Sequence, residues 1–366
     1  MRSILVTMLW CVPGAVGGSE EYLVRQLLGL AEQPEPRWRP TVVAARGLLA
    51  AHPELAAVAD IVEPEFESHG RARRIAGEAT WLRRHTGDAA LVHHGGGTAP
   101  ARAHRPFVLT IHDLQFRTYP EYFSKVKRLY LGGVIPPSAR RAAVVAVPSE
   151  YVRGSVVEAY GVDADHVMVV PHGIEPALAA DITPEDELRH RYALGDGPIL
   201  VYPAVTHPHK GHDFLLTMMR DHWTDPDLRL VLTGGRGMAE HLVAACTDRR
   251  VCRVGRVPAA DRNGLLAMSR ALVFPSRYEG FGAPLIEAMT LGAPVVCSDA
   301  TCMPQIVGDA GIVRPLRPDA WADVLDEVER RREELVAAGH RRARDFTSKA
   351  SGAALAAVYA RALQVP

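Results

Sequence analysis

Short runs of consecutive apolar residues alternate with longer helical patterns along the whole chain. Twelve such runs are SILVTML, PTVVAA, AALVHH, PFVLTIHD, AVVAVPS, VMVVPHG, PILVYPA, LRLVLTG, CRVGRV, ALVFPS, APVVCS and GIVRP. Because the apolar residues are continuous rather than alternating, they indicate strands covered on both faces, as in the parallel sheet of an α/β protein. Twelve strands exceed one ordinary doubly wound sheet, so we predict two sheets of six strands.

A stretch rich in proline and charge separates the two sets of strands. It lies between Pro171 and Pro198 and lacks strand character. We therefore predict an N-terminal domain over residues 1–178, a C-terminal domain over residues 179–345, and a helix over residues 346–366 that packs back toward the N-terminal domain. Two doubly wound sheets that face each other form a central cleft, and open α/β sheets bind ligands at the carboxyl ends of their strands.

The composition excludes some classes of function. The 366 residues include 42 Lys and Arg and 42 Asp and Glu, so the formal charge is zero and we expect no nucleic-acid partner. No apolar stretch approaches the length of a membrane span. The five cysteines show no CxxC spacing, which is typical of reduced thiols in a cytoplasmic protein. The apolar start resembles a signal peptide, but its short run followed by glycines favours a first strand and a loop.

The segment at residues 276–294, SRYEGFGAPLIEAMTLGAP, carries the strongest chemical signal. It follows a predicted strand and leads into a short helical pattern, with Pro284 suited to the first turn of the helix. Unpaired backbone N–H groups and the helix dipole make such a helix start a site for an anion. Glu279 and Glu287 flank this turn, so the predicted ligand carries hydroxyl groups on either side of a phosphate, as a sugar nucleotide does.

Four further residues lie at or after the ends of predicted strands. Gly17 and Gly18 lie where the backbone would approach a ligand closely, although their loop lacks the G-x-G-x-x-G pattern of nicotinamide-binding proteins. Lys210 lies in a turn between a strand and a helix, where its charge either meets a diphosphate or is solvated as in an ordinary loop. His112 ends a predicted strand, and it either reaches the cleft or is a structural histidine.

Two groups of residues have an alternative interpretation. His207, His209 and His212 lie close together, but the sequence designates no further ligand for zinc, and we expect no metal site. Residues 70–85 combine several arginines with apolar residues at helical spacing, which predicts an amphipathic surface helix. Contact of this helix with an anionic acceptor or a membrane surface is the alternative.

The order and spacing of these motifs resemble glycosyltransferase family 4, retaining enzymes of the GT-B architecture with two Rossmann-like domains. EGFGAPLIEA is similar to the E-x7-E element of that family. Further matches over almost the full chain are PGAVGGSEEYL, HHGGGTAP, IHDLQFRTYPEYFS, VPSEY, VVPHGIE, YPAVTHPHKGHDFLL, RVGRVP and FPSRYEGFGAPLIEAM. The chain most resembles bacterial mannosyltransferase-type members, which implies GDP-mannose as the donor and a role in polysaccharide assembly.

The resemblance implies a role for each candidate in the C-terminal half. Glu279 would hold hydroxyl groups of the donor sugar. The backbone N–H groups of Gly280, Phe281 and Gly282 would meet the sugar and the diphosphate. Glu287 would bind the ribose hydroxyls.

The remaining candidates complete the implied site. Lys210 would neutralise the diphosphate, Gly17 and Gly18 would let the first loop cover the donor, and His112 would lie near the transferred sugar. Glu279, His112 and Lys210 are thus the implied catalytic residues. Members of the family commonly work without a metal, so neither a metal nor another cofactor is expected.

One departure from the family pattern concerns phosphate binding. Many relatives carry an arginine before the lysine, at a place where this chain has Ala204. Neutralisation of the diphosphate would then depend on Lys210 and the helix start, or on a histidine such as His209.

The expected reaction moves a hexose, with mannose as first choice, from a nucleotide-diphosphate sugar to an acceptor with retention of configuration. The acceptor would be a glycan, a lipid-linked sugar or a small molecule. A nucleotide-sugar epimerase of the same architecture and a non-catalytic nucleotide-sugar-binding subunit are the alternatives. The protein is expected in the cytoplasm, with or without peripheral contact with the membrane.

Overall fold

The structure, a computed structural model, describes residues 3–13, 18–34, 38–66, 70–86, 89–103 and 106–364. The chain divides into two compact units. The first unit contains Met1–Gly173 and Thr347–Pro366, and the second unit contains Ile174–Phe346.

The described residues form thirteen strands, numbered in chain order. They are β1 (Ile4–Met8), β2 (Thr41–Ala44), β3 (Asp60–Val62), β4 (Leu91–His94), β5 (Phe107–Thr110), β6 (Val144–Val147), β7 (Val167–Val169), β8 (Ile199–Pro203), β9 (Arg229–Thr233), β10 (Val251–Gly255), β11 (Ala271–Phe274), β12 (Val295–Ser298) and β13 (Ile312–Arg314).

The α-helices of the described residues cover the sheets. They are α1 (Gly18–Ala31), α2 (Leu48–Ala51), α3 (Leu55–Val58), α4 (Arg71–Gly77), α5 (Arg83–His85), α6 (Gln115–Thr118), α7 (Lys125–Arg141), α8 (Glu150–Tyr160), α9 (Glu185–Tyr192), α10 (His212–Asp221), α11 (Glu240–Ala244), α12 (Ala259–Ala267), α13 (Ala283–Thr290), α14 (Met303–Val307), α15 (Pro318–Trp321), α16 (Val324–Arg330), α17 (Arg332–Ala343) and α18 (Ser348–Gln364).

The two sheets share one strand order. Within the described part of the chain, the first sheet has seven strands in the order β3-β2-β1-β4-β5-β6-β7, and the second has six in the order β10-β9-β8-β11-β12-β13. All neighbouring strands are parallel. The predicted doubly wound α/β architecture is confirmed. In each sheet the connections reverse direction between the first and fourth strand, which is where such sheets place their ligands.

The prediction of six strands in the first sheet is wrong by one, because it omitted β3. This strand has three residues and lies at the edge of the sheet, paired with β2. Asp60 and Val62 are exposed and Ile61 is half-buried. An edge strand that is open to water needs no continuous apolar run, so the pattern that revealed the other strands is missing here.

The last helix, α18, belongs to the first unit and packs directly on α1. A Cβ atom at Gly29 would lie 1.7 Å from the carbonyl oxygen of Ser348, and one at Gly352 would lie 2.0 Å from the carbonyl carbon of Gly29. Glycine is therefore required at both positions for the two backbones to touch. The Tyr359 hydroxyl on the same helix lies 2.9 Å from Nδ1 of the buried His93.

The arginine-rich residues 70–85 form a helical run, as predicted. A π-helical segment, Glu78–Leu82, interrupts it between α4 and α5. Arg73 and Arg84 are exposed whereas Leu82 is 2% exposed, so the run is amphipathic. Among the helices of the described residues, none combines the length and apolar character needed to cross a bilayer.

Candidate active site

Two loops of the second unit follow neighbouring strands at the point where the connections reverse. Strands β8 and β11 pair directly, and their carboxyl ends lead into residues 204–211 and residues 275–282. A Cβ atom at Gly211, whose φ is +73°, would lie 2.3 Å from the carbonyl oxygen of Pro275. The absence of a side chain at Gly211 therefore lets the two loops pack against each other.

Lys210 and Glu279 form an ion pair across these loops. Nζ of Lys210 lies 2.6 Å from Oε1 of Glu279, and the hydroxyl of Ser276 donates to the same oxygen at 2.6 Å. The Lys210 side chain is 20% exposed and the Glu279 side chain 12% exposed, so water screens the pair only in part. No donor among the described residues forms a hydrogen bond with Oε2, and this oxygen can accept one from a ligand hydroxyl.

The backbones of both charged residues are held in place. The hydroxyl of the buried Tyr202 donates to the carbonyl oxygen of Lys210 at 2.6 Å. The Glu279 N–H donates to Oγ1 of Thr301 at 3.1 Å, and Sγ of Cys302 lies 3.3 Å from the Glu279 carbonyl oxygen. Ser276 and Tyr202 lie within quoted motifs but were given no role from the sequence, and Thr301 and Cys302 lie outside those motifs.

Thr301 has a strained backbone. Its φ is +55°, a left-handed conformation that costs a β-branched residue about 1–3 kcal/mol. In this conformation its hydroxyl accepts the hydrogen bond from Glu279. The strain therefore coincides with the positioning of a candidate catalytic residue.

The helix start predicted after the glycine turn is present as α13. Gly282, with φ of +84°, is its N-cap, and Pro284 lies in the first turn. Glu287 is one turn further on and is 5% exposed. The side chain of Phe281 is 2% exposed and packs edge-on against Phe346, so the ring is part of the packing around this turn.

The three histidines near Lys210 do not add positive charge. Burial and the neighbouring Lys210 lower the pKa of His207, lower that of His209 to about 3, and, together with Arg253, lower that of His212 to about 4. All three rings are neutral at pH 7. A contribution of His209 to phosphate binding stays a prediction, and without a ligand its ring carries no charge at pH 7.

The described residues contain no cluster of three or more His, Cys, Asp or Glu side chains that could hold a metal ion. All five cysteines lie in this part of the chain, and none forms a disulfide. Metal independence stays a prediction.

The first unit places His112 at the end of β5. Its Nε2 lies 2.9 Å from the carbonyl oxygen of Gly95, and its ring centroid is 5.4 Å from that of Trp10 and 5.2 Å from that of Tyr22. Burial among these groups lowers the pKa of His112, so the ring is neutral at pH 7. The structure thus places two aromatic rings against this candidate, and the adjacent Asp113 is its charged neighbour.

The remaining candidates of the first unit are two glycines. Gly18 is the first residue of α1, and a Cβ atom there would meet nothing within 4 Å, so packing among the described residues does not require the glycine. Gly17 lies outside the described residues. Trp10, Tyr22 and the buried His172, whose ring is 4.5 Å from that of Tyr22, were given no role from the sequence, although Tyr22 and His172 lie within the motifs PGAVGGSEEYL and VVPHGIE.

Family models match most of the chain. Residues 16–178 match Glycosyltransferase Family 4, and residues 184–345 match Glycosyl transferases group 1. O-antigen chain mannosyltransferase B of Escherichia coli is 30% identical over 260 residues, which span 64% of this chain and 67% of that protein. A D-inositol 3-phosphate glycosyltransferase of Xylanimonas cellulosilytica is 29% identical over 321 residues, which span 79% of this chain and 70% of that protein.

A solved structure matches the whole fold. Anabaena Alr3699/HepE, in complex with UDP and glucose, superposes with a TM-score of 0.74 at 18% identity, covering 98% of this chain and 100% of that one. Two parallel sheets that share one order over six strands, with helices on them, define a protein of the GT-B fold class. The chain belongs to glycosyltransferase family 4, and it is a glycosyltransferase.

Proposed function

We propose that the protein is a retaining hexosyltransferase that moves mannose from GDP-mannose to a growing glycan. The observation that carries this proposal is the Lys210–Glu279 ion pair beside the start of α13, at the strand ends where an open α/β sheet binds its ligand. A cation, a carboxylate and a helix N-terminus suit a sugar diphosphate. The mannose and glycan parts of the proposal are supported by the name of the E. coli relative, which is an O-antigen mannosyltransferase.

In the proposed reaction the second unit holds the donor. The backbone N–H groups of Gly280, Phe281 and Gly282 and the ammonium of Lys210 stabilise the charge that develops on the departing diphosphate, which is the largest contribution to be expected from the protein. Glu279 accepts a hydrogen bond from a sugar hydroxyl through Oε2, while Lys210 and Ser276 hold Oε1. Glu287 binds the ribose.

Retention follows if the acceptor attacks from the face on which the diphosphate leaves. The acceptor oxygen forms the new bond to the anomeric carbon, the bond to the diphosphate breaks, and the diphosphate oxygen takes the acceptor proton. The reaction then needs neither an enzymic base nor a metal. The acceptor is a glycan or a lipid-linked sugar, with a small molecule as a further acceptor class, and the role of His112 near the transferred sugar stays a prediction.

A panel of nucleotide sugars tests the donor. The melting temperature of the protein is measured with GDP-mannose, UDP-glucose and other nucleotide sugars, because a bound ligand stabilises the folded state by mass action. GDP-mannose should give the largest increase. A larger increase with a UDP-sugar would contradict the choice of GDP-mannose, and no increase with any donor would contradict nucleotide-sugar binding.

Product analysis tests the reaction itself. The best donor is incubated with mannose-terminated oligosaccharides, and the anomeric configuration of the product is read by NMR. An α-linked product from the α-linked donor is expected, with the same rate in the presence of EDTA. Loss of activity in EDTA that added metal restores would contradict metal independence. An epimerised donor formed without any acceptor would indicate an epimerase, and binding without transfer to any acceptor would indicate a non-catalytic subunit.

A further inference from the structure

A cavity opens at the same edge of the second sheet as the candidate active site. It has a volume of about 340 Å³ and lies at the carboxyl ends of β9 and β10. Three arginines and one carboxylate line it, namely Arg236, Arg253, Arg256 and Glu240. At neutral pH these four side chains carry a net charge of +2, so the cavity favours an anionic ligand.

Arg253 is engaged in holding the wall of this cavity. Its Nε and Nη2 lie 3.3 Å from the two carboxylate oxygens of Glu240. The Glu240 carboxylate also accepts a hydrogen bond of 2.6 Å from the hydroxyl of Thr206, and that hydroxyl accepts one from the Gly237 N–H at 2.7 Å. Glu240 and Arg253 therefore anchor the loop after β8 to the cavity.

Arg256 lies over that same loop. A Cβ atom at Gly235 would be 3.2 Å from Nε of Arg256, 3.4 Å from its Nη2 and 3.7 Å from Cγ2 of Val205. The guanidinium of Arg256 and the side chain of Val205 thus both border the space that the missing side chain of Gly235 leaves open. The Arg236 side chain is 87% exposed to solvent, and its Nε is 3.8 Å from Glu240.

The side chains of the loop after β8 do not supply enough positive charge to balance a diphosphate. Within residues 204–210, Ala204 has no charge, and His207 and His209 are neutral. Lys210 is paired with Glu279, so together they carry no net charge. The diphosphate of a nucleotide sugar brings two negative charges, and a further cation at this loop would stabilise it.

We propose that Arg256 is the second cation of the donor site and that it contacts the diphosphate from the end of β10, in place of an arginine within the loop after β8. This inference rests on the proposed function, since it assumes a nucleotide-diphosphate ligand. The planar guanidinium donates two parallel hydrogen bonds to phosphate oxygens, which a lysine cannot do.

Calorimetric titration of nucleotides tests the proposal. The probes are GDP, GMP and guanosine, with UDP, UMP and uridine as a second series, and the proteins are the full-length wild type, Arg256→Ala, Arg256→Lys and Arg220→Ala. Arg220 is a matched control on α10, because its side chain is 69% exposed and pairs with the adjacent Asp221. Thermal melting first establishes that each variant is folded.

Arg256→Ala should weaken diphosphate binding about 10- to 100-fold, which corresponds to the loss of a charge-assisted hydrogen-bond pair. Its nucleoside affinity should stay at the wild-type value. Arg256→Lys should recover part of the loss, and Arg220→Ala should bind all probes as the wild type does.

Three outcomes would overturn the inference. Wild-type affinity of Arg256→Ala for both diphosphates would show that Arg256 does not contact phosphate. An equal loss for diphosphate and nucleoside would show that the cavity holds the base instead. If the wild type itself binds neither diphosphate, the proposed function fails and the inference fails with it, whereas the first two results leave the proposed function intact.

Discussion

The two units have sheets with the same strand order, but different side chains lie at their strand ends. In the second unit, the loops after the first and fourth strands present an ion pair, Lys210 and Glu279, 2.6 Å apart. In the first unit, the corresponding edge carries His112 among the rings of Trp10 and Tyr22, with its pKa lowered by burial.

The difference shows what the shared topology does and does not provide. The reversal of the connections opens a place for a ligand at both edges. The side chains that follow the strands decide what this place can do, because a charged edge stabilises a diphosphate and a neutral aromatic edge suits an uncharged group. The charged edge should therefore tolerate substitution least.

The largest effect is expected for Glu279→Gln. The neutral amide holds the Lys210 ammonium less firmly and accepts a weaker hydrogen bond from the sugar, so kcat/KM should fall about 100- to 1,000-fold. Steady-state transfer assays measure this value. Glu185→Gln on α9 is the control, since the Glu185 side chain is 55% exposed, pairs with Arg189 on the same helix, and should leave the rate unchanged. If the kcat/KM of Glu279→Gln stays within threefold of the wild-type value, Glu279 does not take part in catalysis.

A smaller effect, on binding rather than turnover, is expected for Glu287→Gln. A charged acceptor to ribose hydroxyls contributes about 1.5–3 kcal/mol, so nucleoside-diphosphate affinity should fall roughly 10-fold or more. The wild type should also bind the 2′,3′-dideoxy nucleotide less tightly than the ribonucleotide, and the variant should lose this preference. If the variant keeps the full preference, the ribose assignment is wrong.

Thr301→Gly should reduce kcat/KM about 5- to 10-fold. The substitution relieves the strain at φ of +55° but removes the hydroxyl that accepts from Glu279 N–H, and the two effects on stability are each about 1 kcal/mol and opposite in sign. The free energy of unfolding should therefore change little while the rate falls. Thr301→Ser keeps the hydroxyl and serves as the control. Equal rates for the glycine and serine variants would show that the hydrogen bond does not position Glu279.

The smallest effect concerns His112 and the pH dependence of transfer. Since burial lowers the pKa of His112 below its ordinary value, the ring is neutral at pH 7 and gains a proton only as the pH falls below about 6.5. If the neutral ring is the active form, kcat should decline a few-fold on this acidic side. His112→Gln, which stays neutral, should be slower at pH 7 and lack this decline. If the kcat of His112→Gln declines at low pH as that of the wild type does, another titrating group causes the decline.

Much of the fold could be predicted because buried strands have a local signature. Continuous apolar runs identified every strand of the described residues except β3, which is short and exposed at the sheet edge. The helix start after the glycine turn could also be predicted locally, since Pro284 and the αL glycine Gly282 are only two positions apart in the chain.

The partners within the site could not be predicted in this way. Lys210 and Glu279 are 69 positions apart, and Thr301 acts on Glu279 from a third loop. The charge state of His209 likewise depends on burial and on Lys210, which no local pattern reveals.

By itself, the sequence determined the α/β class, the two sheets and the set of residues at their strand ends, because these follow from hydrophobic periodicity and turn chemistry within short segments. Only the tertiary structure decided which of those residues meet, which charges are already paired, and that Arg256 lies over the loop containing Ala204. The physical reason is that hydrogen bonds and electrostatic interactions depend on distance in space, and the strand order brings together loops that are far apart in the chain.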